Sequence, residues 1–514
     1  MPILGDIIER NARHRPHWLA LVYADQRVSH AEYALRVRKL ASAFHARGLR
    51  RGDRVSILAM NCSEYLETYG ACEWAGYVLN TVNFRLAIPE IVAIMKDSDP
   101  KIVLFEQQYA DAIGALRDEV TGVETYICID AAPEGAESYD AVLESGADDG
   151  GPSRACEDDY LCIIYTSGTT GRPKGVVHTN RSYAMLAEIL SSELQLGADD
   201  RLLAIAPLFH IGARSLSSAA QWRGGTIVLH RGFDAEEVIR TIERERITAV
   251  HLVPTMVQAI LDAPNFARHD LSSLRMLMYA AAPMPVALLK RALDAFGPIL
   301  VNGYGQTEIN LPTLLHAHQH HVDGTPTQVK RLASVGQPHP RSAIRIVADN
   351  GDECPTGTVG EIVARSETAM AGYWNNSAAT LATLRDGWVH TGDVGYVDDE
   401  GYLFLVDRKK DMIISGGENI YSREVEDAIA HHPAVKQVAV IGVPDAYWGE
   451  SVKALVVLEP DAAASVEDIV AGCRTLIASY KCPKSVEFVP SLPLLPTGKV
   501  NKRSLRERHA APRA

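Results

Sequence analysis

Between Ile163 and Val177 an apolar run breaks into Thr166, Ser167, Gly168, Thr169, Thr170 and Gly171, followed by Lys174 and Gly175. Glycines let a backbone approach a ligand closely and present its N–H groups outward. The hydroxyls of this stretch add donors, and Lys174 adds a compact positive charge. Such an inventory suits a polyphosphate. It is not a Walker A loop, because no Gly-Lys-Ser/Thr follows the glycines, and it is not the dinucleotide Gly-x-Gly-x-x-Gly. Three further segments set a charged side chain beside a turn-forming glycine: Tyr304-Gly-Gln-Thr-Glu308, Trp388-Val-His-Thr-Gly-Asp-Val-Gly395 and Pro496-Thr-Gly-Lys499.

Layered α/β architecture is expected to position these groups. Ala31 to Ala46 carries apolar residues at helical spacing and stops before Gly48. Short apolar runs of strand length occur at Arg54–Ala59, Ile102–Phe105, Leu202–Ala206, Thr226–Leu229, Ala249–Leu252, Leu274–Tyr279 and Leu300–Val301. Alternation of this kind points to α/β layers. Residues 134–152, rich in Gly, Asp, Glu and Ala, read as a polar connection. After Asp407-Arg-Lys-Lys-Asp411 the texture changes. Ser422 reads as the N-cap of an acidic helix, and Val438–Ile441 and Val452–Leu458 as strands of a small α+β unit. The expected organisation is a large, multi-subdomain α/β N-terminal domain over 1–406, a hinge at 407–411, and a small mobile α+β C-terminal domain over 412–514.

The 514 residues carry 51 Lys and Arg against 64 Asp and Glu, a net charge of −13. That balance disfavours a nucleic-acid partner, whose backbone an acidic chain repels at long range. The eight cysteines form no Cys-x-x-Cys pair and suit a reducing compartment. No stretch approaches the roughly 20 apolar residues of a membrane span, and the N-terminus does not read as a signal peptide. A cytoplasmic location is expected. Whether the chain forms a homodimer stays open.

Taken together, these segments resemble the motifs of the adenylate-forming, AMP-binding superfamily, which includes acyl-CoA synthetases, firefly-type luciferases and amino-acid adenylation domains. Tyr165 to Gly175 is similar to the signature loop. Tyr304–Glu308 and Trp388–Gly395 are similar to the second and third core motifs. Asp407–Asp411 with Ile414-Ser-Gly-Gly-Glu-Asn-Ile420 resembles the hinge and the loop after it, and Pro496–Lys499 the C-terminal lysine motif. The five stand in family order and cover essentially the whole chain.

The resemblance implies roles. Thr166 to Gly171 and Lys174 would take the β- and γ-phosphates of ATP, Glu308 would hold Mg²⁺, and Thr307 would donate to the α-phosphate. Adenine would lie against Tyr304 and the backbone of Ala281, Ala282 and Pro283. The family commonly has glycine where this chain has Ala280, so the wall there is more crowded. Asp393 would take both ribose hydroxyls with Arg408 as second contact. Lys499 would reach the substrate carboxylate and α-phosphate during adenylation. After a swing at Lys410, Gly416 and Gly417 would leave room for the pantetheine arm of coenzyme A. Trp448 would stack on its adenine, with Tyr480, Lys481 and Lys484 near its phosphates. His210 matches a gate between acyl and thiol sites. His316, His318, His320 and His321 read as solvated rather than metal-binding.

The implied activity is an ATP-dependent carboxylic acid–CoA ligase acting on a medium-chain, alicyclic or aromatic acid. Alternatives are an acyl-adenylating enzyme that loads a carrier protein, and a luciferase-like oxygenase. Phe209-His210 stands where amino-acid-selecting relatives place an aspartate, which argues against an amino acid. The acyl pocket is expected along His210 to Ala219, around Val253-Pro-Thr-Met256, and after Glu308. Arg214 is expected either to turn to solvent or a structural carboxylate, or to meet a polar substrate tail.

Overall fold

The computed structural model describes residues 2–166, 173–282, 284–409, 411–415, 418–445, 447–495 and 499–510. The chain divides into two compact units. One comprises Met1–Ile344 and Ala364–Val389; the other comprises Arg345–Val363 and His390–Ala514.

Two large sheets build the first unit. In one, the strands Leu300–Gln306, Met276–Ala280, Ala249–Leu252, Arg201–Ala204, Thr226–Leu229 and Leu19–Tyr23 lie side by side, all parallel. Parallel strands covered on both faces read as unbroken apolar runs, which is why Thr226–Leu229 is buried throughout. In the other sheet, Tyr160–Thr166, Val78–Thr81, Arg54–Leu58, Ile102–Phe105 and Thr125–Cys128 are parallel neighbours. Lys174–Thr179 adds to it antiparallel, with Gly372–Tyr373 beyond.

One core joins the two sheets through the helices His30–Ala46, Ser63–Ala75, Asn180–Glu193 and Ile211–Arg223. Val37, Tyr69, Tyr183 and Leu216 pack with Ile57 and Leu79 of one sheet and Leu202 and Ile227 of the other. The helix predicted over 31–46 starts where Ser29 and Glu32 form a reciprocal capping box. The stretch 134–152 is not a bare connection. It contains the helix Tyr139–Glu144, whose Tyr139, Val142 and Leu143 are buried. Its polar composition describes only the flanks.

In the second unit, Val435–Asp445 and Gly449–Leu458 form a long antiparallel hairpin, and Ser485–Phe488 joins parallel to the latter. The helices Ser422–Ala430 and Val466–Arg474 cover this sheet through Val425, Ile429 and Ile469. Ser422 is not an N-cap: the helix begins at Ser422, and its hydroxyl accepts from Lys502 Nζ at 2.7 Å. The eight cysteines are free thiols, and no described helix is long and apolar enough to cross a membrane.

Candidate active site

The phosphate-loop segment begins and ends on adjacent antiparallel strands, with Thr166 opposite Lys174 and Tyr165 opposite Gly175. Ser167, Gly168, Thr169, Thr170 and Gly171 lie outside the described residues. At Gly175 a Cβ would come 2.7 Å from Ile163 Cγ2 and 3.0 Å from the Tyr165 ring, so the close hairpin requires glycine. The Tyr165 hydroxyl donates to Asp97 at 2.6 Å and anchors the strand before the loop.

Lys174 stands with its ammonium 4.8 Å from the centre of the Tyr373 ring, a cation–π contact. The Tyr373 hydroxyl donates to Glu308 Oε1 at 2.8 Å. Burial and the neighbouring Glu308 carboxylate push the Tyr373 phenol well above its ordinary pKa, so it stays a neutral donor. One tyrosine thus joins the loop lysine to the predicted metal carboxylate. The main chain at Glu308 is pinned on both sides. His178 Nε2 sits 2.8 Å from the Thr307 carbonyl, and Met370 N donates to the Glu308 carbonyl at 2.9 Å. His178 is fully buried, and desolvation pushes its pKa down to about 4, so the neutral ring donates through Nε2.

Sequence reasoning missed both Tyr373 and His178. A weak signal existed for His178, which lies four residues beyond Lys174 on one strand, an even spacing that shares a face. Tyr373 offered none, because it arrives from a distant strand.

Met276–Ala280 and Leu300–Gln306 end side by side with Ala280 opposite Gly303. This is the carboxyl edge of a parallel sheet, where ligands bind in open α/β folds. Ala281 and Ala282 are exposed just past that edge, and Pro283 lies outside the described residues. Ala281 holds φ at +71°, a conformation glycine adopts more easily. Tyr304 and Thr307 are both buried. A Cβ on Gly305 would fall 1.5 Å from the Asn310 carbonyl oxygen, so the turn that carries Thr307 and Glu308 depends on glycine.

Within the second unit, Asp393 faces Arg408 across paired strands, with Arg408 Nε 3.0 Å from Asp393 Oδ1. Asp393 N donates to Thr391 Oγ1 at 3.1 Å, which fixes the turn after Gly392. Lys409 pairs with Asp349 at 2.8 Å, and Lys410 lies outside the described residues. Lys499 is exposed, and its carbonyl accepts from Leu495 N at 2.6 Å; residues 496–498 lie outside the described residues. Gly416 and Gly417 are outside the described residues; the strands flanking them pair with Ser415 opposite Glu418. Trp448 and Tyr447 are exposed, edge to face at 4.7 Å, on a turn held by Asp445 accepting from both their N–H groups. Lys481 is engaged by Glu424 at 2.7 Å, so its charge is already matched.

In the segment expected to line the acyl pocket, His210 caps the helix Ile211–Arg223, its Nδ1 accepting from Gly212 N at 3.3 Å. That bond leaves the ring proton on Nε2. Arg214 takes the structural course. It is buried against an equally buried Glu73, with Gln221 Oε1 at 3.3 Å and the Tyr69 ring at 4.6 Å. An unpaired guanidinium cannot be buried, and Glu73 supplies its partner from the neighbouring helix. The solvated reading of the histidine run fails at His320. It is buried, with Nε2 3.0 Å from the Tyr279 hydroxyl and Nδ1 2.9 Å from the His316 carbonyl. His316 pairs with Glu193 at 3.1 Å.

Residues 8–374 match the family described as AMP-binding enzyme, and residues 424–499 match the AMP-binding enzyme C-terminal domain. A feruloyl-CoA synthase of Amycolatopsis sp. is 40% identical over 98% of this chain and 99% of its own length. An indoleacetate–CoA ligase of Aromatoleum aromaticum is 38% identical over 98% of both chains. Among solved structures, the amide bond synthetase McbA from Marinactinospora thermotolerans superposes with a TM-score of 0.89 at 31% identity, covering 99% of this chain and 100% of its own.

Proposed function

The chain belongs to the AMP-binding enzyme family and is an AMP-forming acid–CoA ligase using ATP, Mg²⁺ and coenzyme A, and from that premise we propose that its acid is aromatic and that the residues described above divide the work. The proposal for the acid rests on the likeness to a feruloyl-CoA synthase and an indoleacetate–CoA ligase, both of which match nearly the whole chain.

A substrate carboxylate is already a nucleophile. Its attack on the α-phosphate expels pyrophosphate and joins two anions, so catalysis is positioning and charge neutralisation. Lys174 offers its charge to the β- and γ-phosphates, held in place by the Tyr373 ring. Glu308 fits a hard cation: Tyr373 occupies one lone pair of Oε1, and the carboxylate keeps further acceptor sites in a partly exposed position. Mg²⁺ bound there supplies charge neutralisation between phosphate oxygens. Thr307 donates to the α-phosphate, from a turn that His178 and Met370 fix. Tyr304, Ala281 and Ala282 form the adenine wall.

Asp393 accepts from the ribose hydroxyls with Arg408 beside it, and Lys499 neutralises the α-phosphate and carboxylate in the first half-reaction. A hinge at 407–411 then presents Gly416, Gly417 and Trp448 to coenzyme A for thioester formation, with His210 gating the thiol. A cytoplasmic setting suits eight free thiols and these substrates.

The single observation that carries the site assignment is the Lys174–Tyr373–Glu308 chain, which gathers two sequence motifs onto one phenol. Lys499→Ala tests the division of labour. Acyl-adenylate formation is expected to fall by at least ~10²-fold, the order for one transition-state electrostatic donor. Thioester formation from supplied acyl-adenylate should be spared, and equal loss of both steps refutes the assignment. AMP release with and without coenzyme A identifies the acceptor, which the likeness to an amide bond synthetase makes worth measuring.

A further inference from the structure

His251 is the third residue of the strand Ala249–Leu252 in the first unit, which leads into Val253-Pro-Thr-Met256. Neither ring nitrogen has a hydrogen-bond partner, and both are shielded from solvent. A buried imidazole with two unmet polar atoms costs stability, and such a group calls for an explanation. Two buried histidines each find a partner: His178 Nε2 meets Thr307, with its Nδ1 unmet, and both nitrogens of His320 are met, by Tyr279 and His316.

The surroundings of His251 supply the explanation. Its ring lines a cavity of about 10 Å³ with Leu202, Ala204, Ala206, Ala213 and Leu216. Among the described residues His251 brings the one polar side chain to that lining. The cavity lies against the start of the helix Ile211–Arg223, which His210 caps. A Cβ built on Gly212 would stand 3.3 Å from His251 Cε1 and 3.8 Å from His210 Nδ1, so both imidazoles flank the same side-chain-free position. A half-turn about χ2 brings His251 Nε2 to the place Cε1 occupies. The space is far too small for a ring and about the size of one oxygen atom.

We propose that His251 is a specificity residue that hydrogen-bonds a hydroxyl substituent of the acyl group, so that the preferred acid is a hydroxylated aromatic acid. The assignment rests on the aromatic acid–CoA ligase reading above and deepens it. Desolvation pushes the pKa of His251 down to about 4, so the ring is neutral near pH 7. A neutral imidazole offers one acceptor and one donor, which matches a hydroxyl and disfavours a second carboxylate. A site that hydrogen-bonds a substrate hydroxyl rejects the analogue lacking it far more strongly than an apolar pocket rejects a missing methylene.

The experiment compares 3-phenylpropenoic acid with its 2-, 3- and 4-hydroxy derivatives, by AMP release with coenzyme A, in the wild type, His251→Leu and His251→Asn. In the wild type at least one hydroxy acid should exceed the unsubstituted acid by ~10-fold or more in kcat/KM. His251→Leu should bring that ratio near one while keeping turnover of the unsubstituted acid, and His251→Asn, which retains a donor and an acceptor, should restore part of it. The melting temperature of His251→Leu should be equal to or above wild type, because an orphan polar group has been removed. That pairing, stability kept while discrimination is lost, is not what a structural histidine gives. A ratio unmoved in His251→Leu, or a wild type indifferent to the hydroxyl, overturns the assignment and leaves the ligase reading standing. A wild type that releases AMP with octanoic acid but with none of the four acids, nor with indole-3-acetic acid, refutes the aromatic-acid reading itself, and this assignment with it.

Discussion

Acid should weaken the first unit through His178, and the size of the effect follows from its surroundings. The ring is fully buried, donates through Nε2 to the Thr307 carbonyl, and has a pKa pushed down to about 4 by desolvation. In the unfolded chain a histidine titrates near 6.5. Below pH 6.5 the unfolded state therefore binds a proton that the folded state refuses, and stability falls as pH drops from 6.5 towards 4. Between pH 7 and pH 5 this one group removes about 2 kcal/mol. That is a large fraction of the roughly 5–15 kcal/mol net stability of a typical domain. His178→Gln keeps a donor for Thr307 and cannot titrate. Urea unfolding at pH 7 and pH 5, followed by circular dichroism, should show the variant losing about 2 kcal/mol less than wild type across that interval. The other histidines with pKa values about 4, His251, His320 and His339, are present in both proteins and cancel in the difference. If wild type and variant lose stability in parallel, within about 0.5 kcal/mol, His178 is not held neutral by burial and the argument fails.

Two further outcomes follow from named contacts. Tyr373→Phe removes the hydroxyl that Glu308 Oε1 accepts from; kcat/KM for Mg·ATP should drop by roughly 10-fold, the worth of one hydrogen bond to a charged group, while the melting temperature barely moves. An unchanged kcat/KM would remove Tyr373 from the site. Arg214→Met strands the buried Glu73 carboxylate and should cost about 3–5 kcal/mol in urea unfolding, whereas Arg214→Met with Glu73→Leu should recover most of it; a double variant no better than the single would show that the pair does more than neutralise itself.

Much of the fold was legible because its strands are parallel and doubly covered. Such strands appear as short unbroken apolar runs, and Ile102–Phe105, Thr226–Leu229 and Ala249–Leu252 form strands over the residues expected. The helix His30–Ala46 was legible from its period, while its capping box at Ser29 emerged only in the structure. What misled was composition used without periodicity. Residues 134–152 are polar on average, yet Tyr139, Val142 and Leu143 repeat at helical spacing and are buried. Ser422 looked like a cap because serine favours that position, but Lys502, eighty residues on, uses its hydroxyl instead. Long-range partners of this kind leave no local trace.

The two sides of the candidate site differ in legibility for a physical reason. A polyphosphate must be met by main-chain amides, hydroxyls and fixed charges, and these need glycine-rich turns that stand out against any background. Thr166, Lys174, Glu308 and Asp393 announce themselves in that way. An acyl group is met by the same apolar side chains that fill any core, so its pocket is written in residues that carry no signal. Arg214 shows the hazard: as the one permanent charge near His210 it invited a substrate contact, and it is consumed by Glu73, which no spacing rule connects to it. His251 is the converse, an ordinary-looking histidine within a short apolar strand whose interest lies wholly in what it fails to touch. A residue read from sequence is judged by its type, but substrate selectivity is set by which buried polar atoms the fold leaves unmatched. Under the proposal for His251, the acid is accordingly sought at a place where hydrogen-bond accounting does not close, the imidazole beside Gly212.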